Sequence, residues 1–195
     1  LWDTTEVVAK AWNRAIAEEG KTKAVVSGAI LKKEFGKTMK AIADNLFFDA
    51  DEQTKETLME KCCIYEHEEL EANKENLLFP DVVETIKELS KKYRLFIVSN
   101  CQSGYIELFM KKAGIEPYIV DWECYGNTGK GKGDNIKLLM KRNDVTEAVY
   151  VGDTQGDYEA TQVAQIPFIF AKYGFGRVES CDRSINGIKE LLNLE

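Results

Sequence analysis

A change of rhythm at Phe79-Pro80-Asp81 does most to limit what this chain can fold into. Ahead of it no proline interrupts the chain. Apolar residues there recur at helical spacing, as in Val8, Ala11, Trp12, Ala15 and Ile16, and later Met39, Ile42, Ala43 and Leu46. Asp51 is placed to cap a long charged helix over 52–73, and the whole stretch predicts a bundle of about four helices. Beyond Pro80, short apolar runs alternate with helical segments. Asp81 can cap a helix over 82–92, and Leu95 to Val98 reads as a buried strand. A helix over 103–112, a strand near 118–120, a helix over 135–142, a strand over 148–151, a helix to Ala164 and a strand over 167–170 follow, with a last helix over 185–192. Strands alternating with helices predict βα units and a parallel sheet. The fold class expected is α/β, a Rossmann-like parallel sheet core with an inserted helical bundle. The bundle is assigned to residues 4–78 and the core to 1–3 and 79–195.

With 195 residues, 44% of them hydrophobic, the chain can bury one sizeable core plus a small module. The formal charge of −7 argues against a nucleic-acid partner, because phosphate backbones call for a concentrated basic face. Lysine pairs at Lys32-Lys33, Lys91-Lys92 and Lys111-Lys112 sit among acids and read as solvated helix surface. No segment has the length and apolarity of a membrane span, so no membrane partner and a cytoplasmic location are expected. Five cysteines without C-x-x-C spacing suit reduced thiols better than a disulfide framework. His67, the sole histidine, falls in a charged helix and is expected at the surface. Trp2, Trp12 and Trp122 are assigned to packing, and Tyr173-Gly174-Phe175-Gly176 to a turn at a site rim.

Three segments carry chemistry. The run Arg94 to Val98 ends in Ser99-Asn100, setting a hydroxyl and successive N–H groups at a strand tip, where an anion can be cradled. A strand-to-helix turn capped by Ser103 would use the same residues. Lys130 and Lys132 then lie in a glycine-rich loop before a helix, placed either to reach phosphate or to be solvated. Last, Ala148 to Val151 leads through Gly152 into Asp153-Thr154-Gln155-Gly156-Asp157, two carboxylates four residues apart where a strand ends. Ligands collect outside the carboxyl ends of such strands, and clustered hard oxygens without nearby imidazole or thiolate suit Mg²⁺. Asp157 could equally be the N-cap of the helix that follows.

In this order the three segments resemble the haloacid dehalogenase superfamily, whose second, third and fourth motifs are a strand-ending serine or threonine, a lysine and an acidic pair. Ser99, Lys132 and Asp153 with Asp157 match them. Leu1-Trp2-Asp3-Thr4 is similar to the tail of the family's first motif, DxDGT, whose first aspartate is the nucleophile and whose second is the general acid/base. The motif itself is not in these residues. Losing the central strand that carries it would leave two open edges, so about ten residues, enough for a strand and its turn, are expected ahead of Leu1.

The helical insertion resembles the cap of the phosphoglycolate phosphatase and β-phosphoglucomutase branch, with Lys37 in the cap loop that contacts substrate. The resemblance implies a Mg²⁺-dependent phosphatase acting on a small phosphomonoester through an aspartyl phosphate, working as a monomer or weak homodimer. In it Ser99, Asn100 and Lys37 bind the substrate, Asp153 and Asp157 hold the metal, and Lys132 neutralises charge. Lys130 is the rival for that last role. Lys132 is preferred because Gly133-Asp134-Asn135-Ile136 leads from it into a helix as in related phosphatases. A phosphomutase, a metal-free dehalogenase and a catalytically inactive binding or regulatory protein remain the alternatives.

Overall fold

The computed structural model describes residues 1–179 and 181–193. The chain divides into two compact units, Trp2–Leu77 and a second made of Leu1 with Leu78–Glu195.

The first unit holds helices α1 (Thr5–Glu19), α2 (Gly28–Glu34), α3 (Met39–Leu46) and α4 (Glu52–Ala72). Their starts are written in the sequence. The Ser27 hydroxyl accepts from the Ile30 amide, Thr38 from Ala41 and Asp51 from Thr54, each satisfying an N–H the helix leaves open. Helix α1 stops where Gly20 takes a left-handed backbone. Val8, Trp12 and Ala15 of α1 and Leu58, Cys62 and Leu70 of α4 are fully buried along their shared contact. The Trp12 indole N–H donates to Glu66 Oε2 at 2.8 Å, so the one carboxylate buried in this core has a partner.

The second unit begins with α5 (Val82–Ser90). It continues through β1 (Phe96–Ser99), α6 (Tyr105–Ala113), β2 (Asp121–Cys124), α7 (Tyr125–Thr128), α8 (Lys132–Arg142), β3 (Tyr150–Gly152), α9 (Gln155–Ala164), β4 (Phe168–Ala171) and β5 (Ser184–Ile185). Every strand pairing is parallel. Ile136, Ala160 and Ala164 from α8 and α9 form one cluster with Val98 and Tyr150 packed on it, while Ile169, Ala171 and Ile185 form another with Val151 and Leu191. This α/β organisation is the expected class.

The parallel strands fall into two pieces. β1 pairs with β2, and β3–β4–β5 form the other piece; β1 and β3 are not paired with each other among the described residues. One consequence corrects an expectation. Phe96 to Ser99 is a half-buried strand rather than a buried one, because one of its edges has no neighbour.

Other boundaries move for local reasons. The strand expected near 118–120 lies at 121–124, because Pro117 closes a 3-10 turn over Glu116–Tyr118 first. Helix α8 starts at Lys132, three residues earlier than expected, and Gly104 rather than Ser103 precedes α6. Asp81 stands before α5 but makes no side-chain cap bond. The last expected helix is instead β5, where Ile185 is buried against Ala171, followed by a 3-10 turn over Ile188–Asn193.

Candidate active site

Four polar groups gather at the carboxyl ends of β1 and β3. Ser99 is the last residue of β1, Asp153 follows β3 directly, Lys132 opens α8 and Asp157 lies in the first turn of α9.

Asp157 is held from every side. Thr154, not Asp157, is the N-cap of α9, and the two make a reciprocal capping box: Asp157 N–H donates to Thr154 Oγ1 at 3.1 Å, while Thr154 N–H donates to Asp157 Oδ2 at 3.0 Å. The Asp153 N–H and the Thr154 hydroxyl reach the same oxygen at 3.0 and 2.9 Å. The other oxygen, Oδ1, takes the Lys132 ammonium. Gly152 makes room for this, since a Cβ there would fall 2.6 Å from Asp157 Cβ.

Both charges of that pair are buried, with side chains 8% and 4% exposed. Burial raises the Asp157 pKa, but the adjacent Lys132 charge and the N–H donors outweigh it and hold the carboxyl below its usual value. Burial likewise opposes the Lys132 cation. Tyr150, Asp157 and Asp153 offset it and keep the amine firmly protonated.

Tyr150 ties this pair to β1. Its hydroxyl donates to the Val98 carbonyl at 3.0 Å and lies 3.5 Å from Asp157 Oδ1. Ser99 therefore adjoins a residue held to the Lys132–Asp157 group, and its hydroxyl accepts from the Cys101 N–H at 3.3 Å. Asn100 follows, half-buried. The Cys101 thiol is raised by a hydrogen bond to Cys124 and by burial, which makes it a poor nucleophile.

Asp153 is bound on one side only. Its Oδ2 accepts the Phe175 N–H at 2.7 Å, and its Oδ1 makes no hydrogen bond among the described residues. A hard divalent cation needs such an open carboxylate oxygen, and Mg²⁺ commonly takes only one or two carboxylates, completing its shell with water and substrate phosphate. The donor set fits that ion, with Asp153 as the side chain able to face it.

The remaining expected residues separate clearly. Lys130 is exposed and held through its backbone, its N–H donating to Thr128 Oγ1 at 3.1 Å and its carbonyl accepting from Asn135. Lys37 belongs to the helical unit, where its amine pairs with Glu34 at 2.9 Å. His67 is exposed. The sequence reading missed Tyr150, Thr154 and the Phe175 amide. Two of these left a visible signal, Thr154 in its capping-box spacing to Asp157 and the Phe175 amide in the glycines that flank it.

The sequence profile described as haloacid dehalogenase-like hydrolase matches residues 1–171. The chain belongs to this family. Among solved structures, this haloacid dehalogenase-like hydrolase is similar to a haloacid dehalogenase-like protein from Bacteroides fragilis, at TM-score 0.84 and 20% identity, covering 98% of this chain and 94% of that one. A predicted phosphoglycolate phosphatase from Haemophilus somnus 129pt gives 0.82 and 17%, covering 99% and 92%. A predicted phosphatase from Clostridium acetobutylicum gives 0.81 and 18%, covering 100% and 94%. At these identities the likeness concerns the fold. A search of curated protein sequences finds no match. No helix among the described residues is long and apolar enough to cross a membrane.

Proposed function

We propose that this hydrolase is a Mg²⁺-dependent phosphatase acting on a small phosphomonoester through an aspartyl phosphate. The observation that carries the reading is the convergence of the Lys132–Asp157 pair, Asp153 with one open oxygen, and the Ser99 strand tip.

Ser99 and the Asn100 N–H hold phosphoryl oxygens and orient the phosphorus for in-line attack by a nucleophilic carboxylate. Lys132 supplies fixed positive charge beside the attacked group, and its burial makes that charge more effective than one in water. Asp157 keeps the Lys132 amine aimed and protonated. Mg²⁺ bound at Asp153 would offset the charge between phosphate and nucleophile. A general acid passes a proton to the leaving oxygen, and water then cleaves the aspartyl phosphate.

Phosphate release from a panel of phosphorylated sugars, phosphoglycolate and nucleotides, with and without EDTA, tests this function in the full-length protein. Metal-dependent turnover of at least one small phosphomonoester is expected. Metal-independent halide release from a haloacid, without phosphate release, would contradict it.

A further inference from the structure

The segment Tyr173-Gly174-Phe175-Gly176 crosses the residues that follow β3 at unusually short range. A Cβ on Gly174 would lie 2.3 Å from both Cβ and Oδ2 of Asp153. One on Gly176 would lie 2.5 Å from the Asp153 carbonyl oxygen and 2.9 Å from Thr154 Cα. Neither glycine is among the positive-φ residues, so backbone freedom does not call for glycine at either place. Room against Asp153 does.

The turn is anchored at both sides of this contact. The Gly174 N–H donates to the Ala171 carbonyl at the end of β4. The Phe79 ring packs edge-on against Tyr173, with centroids 5.4 Å apart, and lies tilted on Phe175 at 6.0 Å. Between these anchors the Phe175 N–H fixes Asp153 Oδ2 at 2.7 Å.

We propose that the Gly174-Phe175-Gly176 turn positions Asp153 for metal binding: its amide holds one carboxylate oxygen, and its two missing side chains let the backbone lie close enough to do so while the other oxygen stays open. This deepens the phosphatase reading and rests on Asp153 as a metal ligand. Groups that orient a ligand from outside the coordination shell typically govern metal affinity by 10–100-fold. The turn acts through Asp153 and touches no reacting atom. It therefore governs how tightly the ion is held more than how fast bound substrate turns over.

Calorimetric titration of the full-length protein with Mg²⁺ tests this directly, comparing wild type with Gly174→Ala. The control is Gly187→Ala, whose Cβ would meet nothing within 4 Å. The expected result is an Mg²⁺ Kd raised about 10–100-fold in Gly174→Ala alone. The Mg²⁺ concentration for half-maximal phosphate release should rise in parallel, with turnover at saturating Mg²⁺ largely kept. Phe79→Leu, which removes the ring anchor without placing an atom against Asp153, should shift the Kd in the same direction by less. It serves as the second test if Gly174→Ala does not fold. Unchanged Mg²⁺ affinity in whichever of these variants folds would overturn the proposal while leaving the phosphatase reading intact. No Mg²⁺ binding by the wild type would overturn both.

Discussion

Lys132 and Asp157 form an ion pair buried on both sides, 25 residues apart in the chain and joined because α8 and α9 both begin at the same end of the parallel strands. Removing one member of such a pair leaves an uncompensated charge in a poorly solvated place, which typically costs about 3–5 kcal/mol. Lys132→Met should therefore lower the urea midpoint and also reduce turnover by about 100-fold or more, as loss of a charge-stabilising donor does. Lys130→Met, at an exposed position, should change neither. A larger loss of turnover from Lys130→Met would reverse the assignment of the two lysines.

Tyr150→Phe should be destabilising even though the ring remains. The hydroxyl satisfies the Val98 carbonyl, and its loss should cost about 1 kcal/mol. Chemical denaturation measures it. Because Val98 precedes Ser99, the KM for phosphomonoester should rise as well; an unchanged KM would separate the tyrosine from the anion cradle.

Much of this arrangement was legible in the sequence, and the failures have physical causes. Gly152 followed by two carboxylates announced a strand tip with acidic groups, and the strand does end there. Of the two roles the sequence left open for Asp157, metal ligand and N-cap, the structure excludes the second. Thr154 takes the cap, since its hydroxyl sits three residues before Asp157, the spacing a capping box requires. Tyr150 was invisible as a polar contact because strand periodicity assigns a side chain to a face, not to a partner. The half-buried state of β1 could not be read from Phe96, Ile97 and Val98, whose apolar run describes a strand with two neighbours. The glycines at 174 and 176 looked like ordinary turn formers. In the fold both lie against Asp153, where a Cβ would not fit.

In the helical unit, Glu66→Ala should destabilise by about 1–3 kcal/mol, since the Trp12 N–H would be buried without a partner. Glu66→Gln keeps an acceptor and should cost much less. Denaturant midpoints of the two variants give the comparison. Equal losses would mean that packing, not the hydrogen bond, is what Glu66 contributes.

The Asp121 carboxylate predicts a pH effect on stability remote from the site. Arg142 grips it through two contacts of 2.8 Å, and Asn143 donates at 2.7 Å. Burial pushes its pKa up, but these partners outweigh burial and hold it below the ordinary value of 3.8. A depressed carboxyl contributes stability above its unfolded pKa and loses it as pH falls through the folded one. Wild type should therefore be more stable than Asp121→Asn at neutral pH, with the gap closing below pH 3.8. Urea titrations across that range would show it; a gap independent of pH would mean that the ion pair contributes nothing.

The central claim is that the acidic and basic groups at these strand tips serve metal-dependent phosphate chemistry. Hydrolysis of p-nitrophenyl phosphate by full-length protein of verified mass, measured with Mg²⁺, with EDTA and after Asp153→Asn, tests it most directly. The account predicts turnover that requires Mg²⁺, stops with EDTA and is lost in Asp153→Asn. Turnover that persists in EDTA, or that survives Asp153→Asn undiminished at saturating Mg²⁺, would contradict it.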